Sequence, residues 1–318
     1  MYNTKMVNSY NQIGMITDGI KLRQLRVFIE VARQNSISRA AKMLSISQPA
    51  VTRTIHELEI QLGTVLLQRD GRGIKLSPSG EVFLRHAGAS VAAVRRGAEA
   101  ISQGMRSLAT PIRVGALPTV SARIMPAAVE KFMRSGTGGR LTITTGDNNT
   151  LLSQLRSAEL DLVVGRLAAP EVMIGFHFEH LYSERVIFVV RPSHPLLRSR
   201  ELAFDRLAEF PILMPTARSI IRPFVDRLLI SLGIGDFPFQ IETVSDSFGR
   251  AFLYRYDAVW IISEGVVAND LQGGQLQRLP IDTAETLGAV GLTTLQDFEP
   301  SLPLQVLMEE IRQAAAQN

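Results

Sequence analysis

The stretch ISRAAKMLSISQPAVTRTIHELEIQLG, Ile37 to Gly63, decides the fold of the N-terminal part of the chain. Ser38 is suited to cap a short helix over residues 39–44. A second helix is predicted to begin at Gln48, with a proline in its first turn. Proline is well placed there because the N–H that it lacks would be unpaired in a first helical turn. The helix ends at Gly63. Its apolar positions recur every three or four residues and predict a buried face: Val51, Ile55, Leu58 and Leu62.

The opposite face of this second helix carries polar and cationic side chains. These are Gln48, Thr52, Arg53 and His56. Helix, tight turn and helix with such a face is the pattern of a helix-turn-helix DNA reader. Gln and Arg can hydrogen-bond adenine and guanine edges in the major groove, and the helix N-terminus can bind phosphate.

A short β-hairpin is predicted after Gly63. Residues 65–67 and 74–76 are its predicted strands, and the turn at 69–73 carries Arg69 and Arg72. Arginines at the tip of such a wing can reach DNA phosphates or a narrow minor groove.

Two further helices are predicted around this unit. Residues 21–34 carry one apolar stripe and form the first core helix. A long helix begins near Gly80 and runs to about Met105, and its apolar seam is longer than one small domain covers, which indicates a dimerisation element.

Composition and charge bound the remaining choices. The 318 residues are 46% hydrophobic and 20% charged, which indicates two or three compact units. The absence of cysteine excludes disulfides and thiolate metal sites and fits a reducing cytoplasm. Residues 1–20 are polar and are expected to form a flexible tail rather than an export signal, and no membrane segment is expected.

The charge is unevenly distributed along the chain. Residues 21–106 carry 14 Lys and Arg against 6 Asp and Glu, whereas residues 107–318 carry 19 Lys and Arg against 23 Asp and Glu. The N-terminal part is therefore the one suited to binding a polyanion.

Alternating strands and helices are predicted for the C-terminal two thirds. The strands are residues 111–116, 141–145, 160–165, 186–190, 212–214, 240–244 and 258–262, and the helices are 120–133, 149–158, 221–232 and 247–254. We therefore predict a mixed fold in which a mainly α winged helix-turn-helix and a long linker helix precede two α/β lobes of the periplasmic-binding-protein type. The predicted domains are residues 21–79, 80–107 and 108–318, with lobes at about 111–183 plus 283–318 and at 184–282.

A ligand site is predicted between the lobes, because ligands bind at the carboxyl ends of the strands of open α/β sheets. The polar residues at these positions are Pro118, Thr119 and Ser121, then Asp147 and Asn148, then Arg166, and in the second lobe Thr216, Ser245 and Ser247, with Ser219 and Asp246 nearby. Helix N-termini and an arginine favour a small organic anion. The alternative is that these hydroxyls only cap helices.

The run from Leu22 to Leu84 resembles the winged helix-turn-helix of the LysR-type transcriptional regulators. The resemblance implies DNA contacts from Gln48, Pro49, Thr52 and Arg53 in the helix and from Arg69 and Arg72 in the wing. Thr52 stands where serine is common in the family, and Leu67 where phenylalanine is common. The family also implies a dimer or tetramer on double-stranded DNA, with RNA polymerase as a further candidate partner.

Two segments resemble a subgroup of that family, the regulators of protocatechuate degradation (the pca operon). These are IRVGALPTVSARIMP, residues 112–126, and DLVVGRLAAPE, residues 161–171. A subgroup that regulates sugar uptake is similar. The first resemblance implies a carboxylated ring-cleavage intermediate as the ligand.

Other classes of protein are weighed against this interpretation. An enzyme in the α/β region would need a motif, but no glycine-rich phosphate loop, GxSxG or HExxH is present, so no catalytic residue is predicted. His177 and His180 are three residues apart without a third ligand nearby, so neither a metal site nor a cofactor is expected. A cytoplasmic solute-binding protein would share the two-lobed fold but would not have the basic winged helix-turn-helix.

Overall fold

The computed structural model describes residues 19–71, 73–102, 111–198, 204–296 and 298–317. Contacts divide these residues into two compact units. One unit holds the residues up to 102 together with 156–159, and the other holds the remaining residues from 111 onward. The N-terminal unit is a winged helix-turn-helix and the C-terminal unit contains two α/β sheets, which confirms the predicted fold class.

The N-terminal unit is built from four helices and a hairpin. The elements are α1 (Leu22–Gln34), α2 (Ile37–Leu44), α3 (Gln48–Leu62), β1 (Leu67–Asp70), β2 (Gly73–Leu76) and α4 (Pro78–Ser102). Phe28, Leu58 and Leu66 are fully buried at the centre of the core. These side chains come from α1, from α3 and from the segment before β1. The core therefore holds α3, the predicted reading helix, against α1 and against the start of the hairpin.

The start of α2 differs from the prediction. Ser36, not Ser38, is the N-cap, and its side chain accepts a hydrogen bond from the Arg39 N–H at 3.3 Å. The helix therefore begins at Ile37, two residues earlier than predicted. Ser38 lies inside the helix, where its hydroxyl is free for another contact.

The hairpin also differs from the prediction. The strand predicted at residues 65–67 begins only at Leu67, which pairs with Leu76 across the antiparallel ladder. The N–H groups of Leu66 and Leu67 are bound instead by the Glu59 carboxylate of α3, at 2.8 and 3.2 Å. An apolar run suggested a strand at Val65, but this side chain is 56% exposed.

The long helix α4 begins two residues before the predicted start, at Pro78, and is described as far as Ser102. The prediction that it continues to about residue 105 lies outside the described residues. Part of its predicted apolar seam is exposed, at Val82, Val94 and Ile101. Gly80 packs so closely on the preceding segment that an added Cβ would lie 2.1 Å from the Leu66 carbonyl oxygen.

The C-terminal unit holds two five-stranded mixed sheets. The elements of the first lobe are β3 (Ile112–Ala116), α5 (Pro118–Arg123), α6 (Met125–Arg134), β4 (Leu141–Thr145), α7 (Asn148–Arg156), β5 (Leu162–Arg166), β6 (Phe176–Glu184), β12 (Gly288–Leu295) and α11 (Leu302–Ala316). The elements of the second lobe are β7 (Val186–Val190), β8 (Ile212–Met214), α8 (Arg222–Ser231), β9 (Gln240–Glu242), α9 (Asp246–Arg255), β10 (Val259–Ser263), α10 (Ala268–Gln272) and β11 (Gln277–Arg278), with 3₁₀ turns at Pro195–Arg198, Phe204–Glu209 and Glu264–Val267.

The strand orders are β4-β3-β5-β12-β6 in the first lobe and β11-β7-β10-β8-β9 in the second. In the first sheet β3 is parallel to β4 and β5, and β12 is antiparallel to both of its neighbours. In the second, β8 is parallel to β9 and β10, and β7 is antiparallel to β10 and β11. The chain crosses between the lobes twice, directly after β6 and again before β12, where a 3₁₀ turn forms at Ala284–Thr286.

Two predictions for this unit are corrected, and some of its elements were not predicted. The helix predicted at residues 120–133 is two helices, α5 and α6, separated at Ile124. Pro126 lacks the N–H that a continuous helix would bond to residue 122, which explains the break. Arg166, predicted in a loop, is the last residue of β5. Strand β12 and helix α11 had no counterpart in the prediction.

Across the part of the chain that the structure describes, no helix has both the length and the apolar character needed to cross a membrane.

Candidate functional site

One face of α3 forms the first candidate site. Gln48, Pro49, Thr52, Arg53 and His56 are all exposed and line one shallow surface depression. They lie together because Val51, Ile55 and Leu58 face the core and leave the opposite side of the helix to solvent. The predicted reading face is thus one continuous surface of hydrogen-bonding and cationic groups.

The start of α3 is fixed in two ways. The Ser47 side chain caps the helix by accepting a hydrogen bond from the Ala50 N–H at 3.4 Å. The Gln48 amide nitrogen donates to the Ser38 hydroxyl at 3.0 Å. This contact holds the Gln48 side chain against α2 and leaves its oxygen and second N–H for a base edge.

The structure describes one of the two arginines that are predicted to contact DNA from the hairpin. Arg69 is exposed on β1, opposite Ile74. Arg72, the other predicted contact, lies outside the described residues. The Glu59 carboxylate joins α3 to the start of β1, so the wing is attached directly to the reading helix. The sequence showed Glu59 only as part of the helix end, because its partners are backbone groups seven and eight residues away.

The second candidate site is a cavity of about 470 Å³ between the two lobes of the C-terminal unit. It lies at the carboxyl ends of strands from both sheets, as the prediction expects. Six of the predicted residues line it: Pro118, Thr119, Asp147, Asn148, Arg166 and Thr216. Ser219 and Asp246 also line it, and much of the remaining wall is apolar, from Leu117, Pro215, Ile220, Ile221, Val244, Ile262 and Val266.

Three predicted residues do not line this cavity. Ser121 lies on α5 and directs its hydroxyl to the Ala116 carbonyl at 3.3 Å. Ser245 is the exposed N-cap of α9, and its hydroxyl lies 3.1 Å from that of Ser247, which is also exposed. Helix capping, the alternative weighed above, applies to Ser245, whereas Ser121 and Ser247 make other local contacts.

The structure adds polar residues to the cavity wall that the prediction did not include. They are Thr145, Arg218, Thr243 and Ser263. Thr145 is the final residue of β4, whose bounds were predicted correctly, so the strand-end rule could have included it. Ser263 is the final residue of β10, which was predicted to end one residue earlier. Arg218 lies in the loop after β8, where only proximity in three dimensions assigns it to the cavity.

Arg166 is the buried cation of this cavity. Its side chain is 4% exposed, and its guanidinium lies over the Phe224 ring of α8, 4.5 Å from the ring centre. Nη2 donates to the Thr286 carbonyl, while Nε and Nη1 have no hydrogen-bond partner among the described residues. Burial lowers the pKa of the guanidinium, and the nearby Glu184 carboxylate opposes this shift. A ligand carboxylate is the group that would compensate such a buried donor.

Glu184 is buried at the first crossing between the lobes. Its carboxylate accepts hydrogen bonds from the Thr119 hydroxyl of the first lobe and from the Gly265 N–H of the second lobe at 2.5 Å. The Arg123 guanidinium lies 3.7 Å away. Gly265 is required there, because a Cβ at this position would lie 2.3 Å from the Glu184 oxygen. The sequence contained no signal for this contact between the lobes.

The His177–His180 stretch lies on β6, where Glu179 pairs with Arg312 of α11 at 2.7 Å. Within the described ranges, no three potential metal-ligating side chains come together.

Comparison with known proteins gives matches over nearly the whole chain. Residues 22–81 match the family described as bacterial regulatory helix-turn-helix protein, lysR family, and residues 106–316 match the LysR substrate binding domain. The HTH-type transcriptional regulator PcaQ of Agrobacterium fabrum is 57% identical over 303 residues, which cover 95% of this chain and 97% of that protein. The uncharacterized HTH-type transcriptional regulator YdcI of Escherichia coli is 33% identical over 95% of this chain and 98% of its own length. Among solved structures, full-length OxyR from Pseudomonas aeruginosa superposes with a TM-score of 0.58 at 21% identity, covering 92% of this chain and 95% of that one.

Proposed function

The chain belongs to the LysR family of bacterial transcriptional regulators, and from this premise we propose that it controls genes of aromatic acid catabolism, specifically of protocatechuate. As a LysR-type regulator it binds double-stranded DNA, responds to a small-molecule effector and forms oligomers. The observation that carries the narrower proposal is the 57% identity to PcaQ over almost the full length of both chains. The resemblance of residues 112–126 and 161–171 to pca-operon regulators supports the same assignment.

We propose that α3 reads the operator. Its exposed face would enter the major groove, with Gln48 and Arg53 hydrogen-bonding base edges and Thr52 and His56 beside them. Arg69 of the wing would contact phosphate. The capped N-terminus of α3, with Pro49 in its first turn, brings unpaired N–H groups and a positive dipole end toward the DNA backbone.

Two copies would present two such faces. The exposed apolar positions on α4, Val82, Val94 and Ile101, fit the pairing of two long helices. A twofold dimer of this kind would bind two half-sites of a partly palindromic operator.

The cavity between the lobes is the proposed effector site. Its apolar wall suits a hydrocarbon skeleton, and the cationic Arg166 in its wall suits a carboxylate. The effector would then be a carboxylated ring-cleavage intermediate. Because residues from both lobes line the cavity, an effector that binds one lobe arrangement better than another would shift the equilibrium between them, and the shift would reach the DNA-binding units through the oligomer.

The matched families and the relatives are regulators, and we infer that the effector is bound without chemical conversion. We place this function in the cytoplasm, because the DNA on which it acts is there.

The test is a mobility-shift and footprinting assay on the DNA immediately upstream of the gene for this chain, at several salt concentrations. Protocatechuate, its ring-cleavage acids and a set of sugars are added in turn. Sequence-specific protection that changes with one of the acids is the expected result. Specific binding that responds only to a sugar would replace the proposed effector class, and binding that is equal on random DNA at all salt concentrations would refute the proposed operator.

A further inference from the structure

Thr119 lies between the cavity and a buried carboxylate. Thr119 lies in the wall of the cavity, at the start of α5, and its hydroxyl also lies against the buried carboxylate of Glu184. A hydroxyl has one hydrogen to donate and lone pairs with which to accept. The group that accepts this hydrogen therefore determines whether Thr119 is a donor or an acceptor toward a ligand in the cavity.

An ionised Glu184 takes the hydrogen. A carboxylate can only accept, so the Thr119 O–H must donate to it, as it does in this structure. Thr119 then presents only lone pairs to the cavity. Lone pairs attract a ligand hydroxyl or N–H and repel a ligand carboxylate.

A protonated Glu184 reverses this hydrogen bond. The carboxylate oxygen Oε1 accepts from the Gly265 N–H at 2.5 Å, so the acid proton belongs on Oε2, the oxygen that faces Thr119. Oε2–H donates to the Thr119 oxygen, and the Thr119 hydrogen is released to turn toward the cavity. One proton is gained at Glu184, no other bond changes, and Thr119 becomes a donor that a ligand carboxylate can use.

We propose that Glu184 sets the hydrogen-bonding polarity of Thr119 toward the cavity, so that a carboxylate bound against Thr119 takes up one proton at Glu184. The inference rests on the proposed function, in which the effector is an organic anion. Glu184 acts here through Thr119 and is a specificity-determining residue that does not itself line the cavity.

The surroundings of Glu184 allow this change of charge. Burial raises the pKa of Glu184, while Arg123 of α5 and Arg166 of β5 lower it together with the two hydrogen bonds. Tyr182 of β6 is the other titratable group that faces it, and burial raises the pKa of this phenol further from neutrality, so the tyrosine stays uncharged. A net upward shift places the titration of Glu184 nearer to neutral pH than that of a solvated glutamate.

Glutamine at position 184 mimics the protonated state permanently. In Glu184→Gln the amide oxygen can keep the Gly265 N–H, and the amide nitrogen can donate to the Thr119 oxygen. We expect this variant to bind a carboxylate at least as tightly as the wild type does at low pH, with an affinity that does not change with pH.

The experiment is isothermal titration calorimetry of the full-length protein with 3-carboxy-cis,cis-muconate between pH 6.5 and 8.5, in two buffers of different ionisation enthalpy. For the wild type we expect an uptake of up to one proton per site and a Kd that increases by up to tenfold per pH unit above the pKa of Glu184. For Glu184→Gln we expect neither. Thr119→Val, which has no hydroxyl, should also lose the uptake, whereas Thr119→Ser should keep it.

The controls separate this inference from the proposed function. Equal proton uptake in the wild type and Glu184→Gln, with binding intact in both, overturns the role of Glu184 and leaves the proposed effector class standing. If Glu184→Gln does not fold, undiminished uptake in Thr119→Val overturns the inference in its place. Absence of binding by the wild type at every pH overturns both the inference and the proposed effector class.

Discussion

Replacing Arg166 by methionine is expected to weaken the response to the effector strongly while leaving the fold nearly as stable as before. Arg166 is buried, and two of its three guanidinium nitrogens have no hydrogen-bond partner among the described residues. Methionine has a similar volume and an unbranched, flexible side chain, so it can fill much of the same space beside the Phe224 ring. It brings no charge and no donor.

The expected change in the free energy of unfolding is small because gains and losses cancel. The variant loses the bond to the Thr286 carbonyl, worth about 1.5–3 kcal/mol for a charged donor, and the contact with Phe224, worth about 0.5–2 kcal/mol. It removes two unpartnered buried donors, each costing about 1–3 kcal/mol, and gains a sulfur–aromatic contact of about 0.3–1.5 kcal/mol. We therefore expect a change within about 2 kcal/mol in either direction.

Binding of a carboxylate effector should be weakened, because nothing offsets the hydrogen bond that the effector loses. A hydrogen bond from a charged donor contributes about 1.5–3 kcal/mol. Its loss should raise the Kd of the effector by about 10- to 150-fold. Urea unfolding measures the stability, and titration with 3-carboxy-cis,cis-muconate in a mobility-shift assay measures the response. Arg218→Met is the matched control, because Arg218 lines the same cavity but is exposed. A response in Arg166→Met within about threefold of the wild type, or a loss of stability above about 4 kcal/mol, would refute this reasoning.

Three further outcomes are expected. Arg53→Ala should weaken operator binding by about 1–3 kcal/mol and relax its sequence preference, and equal losses on operator and random DNA would exclude base reading by this side chain. Arg69→Ala should weaken binding to all DNA and flatten the salt dependence by about one unit of slope, so an unchanged slope in the same assay would remove Arg69 from the phosphate contacts. Gly80→Ala should destabilise the N-terminal unit by about 1–3 kcal/mol in urea unfolding, because its Cβ would meet the Leu66 carbonyl. Gly97→Ala, in the same helix with nothing within 4 Å of the added Cβ, should stabilise the unit by about 0.5–1 kcal/mol. Similar effects of the two substitutions would contradict the packing assigned to Gly80.

The reading helix could be predicted from the sequence almost to the residue. The bounds of α3 agree with the prediction because its signals are local: a proline in the first turn, a glycine with φ of 64° at the end, and a repeating apolar face between them. The hairpin could not be placed as well. An apolar run at 65–67 indicated a strand, but the backbone N–H groups of Leu66 and Leu67 are bound by the Glu59 carboxylate. A carboxylate that competes for the N–H groups of a strand produces no periodic pattern in the sequence, so this contact could not be predicted.

The cavity was predictable in outline, since polar residues collect at strand ends and that rule places Thr119, Asn148 and Arg166 in its wall. The network around Glu184 was not. Thr119 and Gly265 reach it from 65 and 81 residues away, and no spacing rule connects positions that only the two crossings of the chain bring together.

The position of β12 constrains how a newly made chain can fold. This strand lies between β5 and β6 in the interior of the first sheet, although about 120 residues separate it from the end of β5 along the chain. All five strands of the second sheet, in contrast, lie between Val186 and Arg278. During synthesis on the ribosome the second lobe is therefore complete before the first can close, and β5 and β6 must wait with unpaired edges until Leu295 has been made.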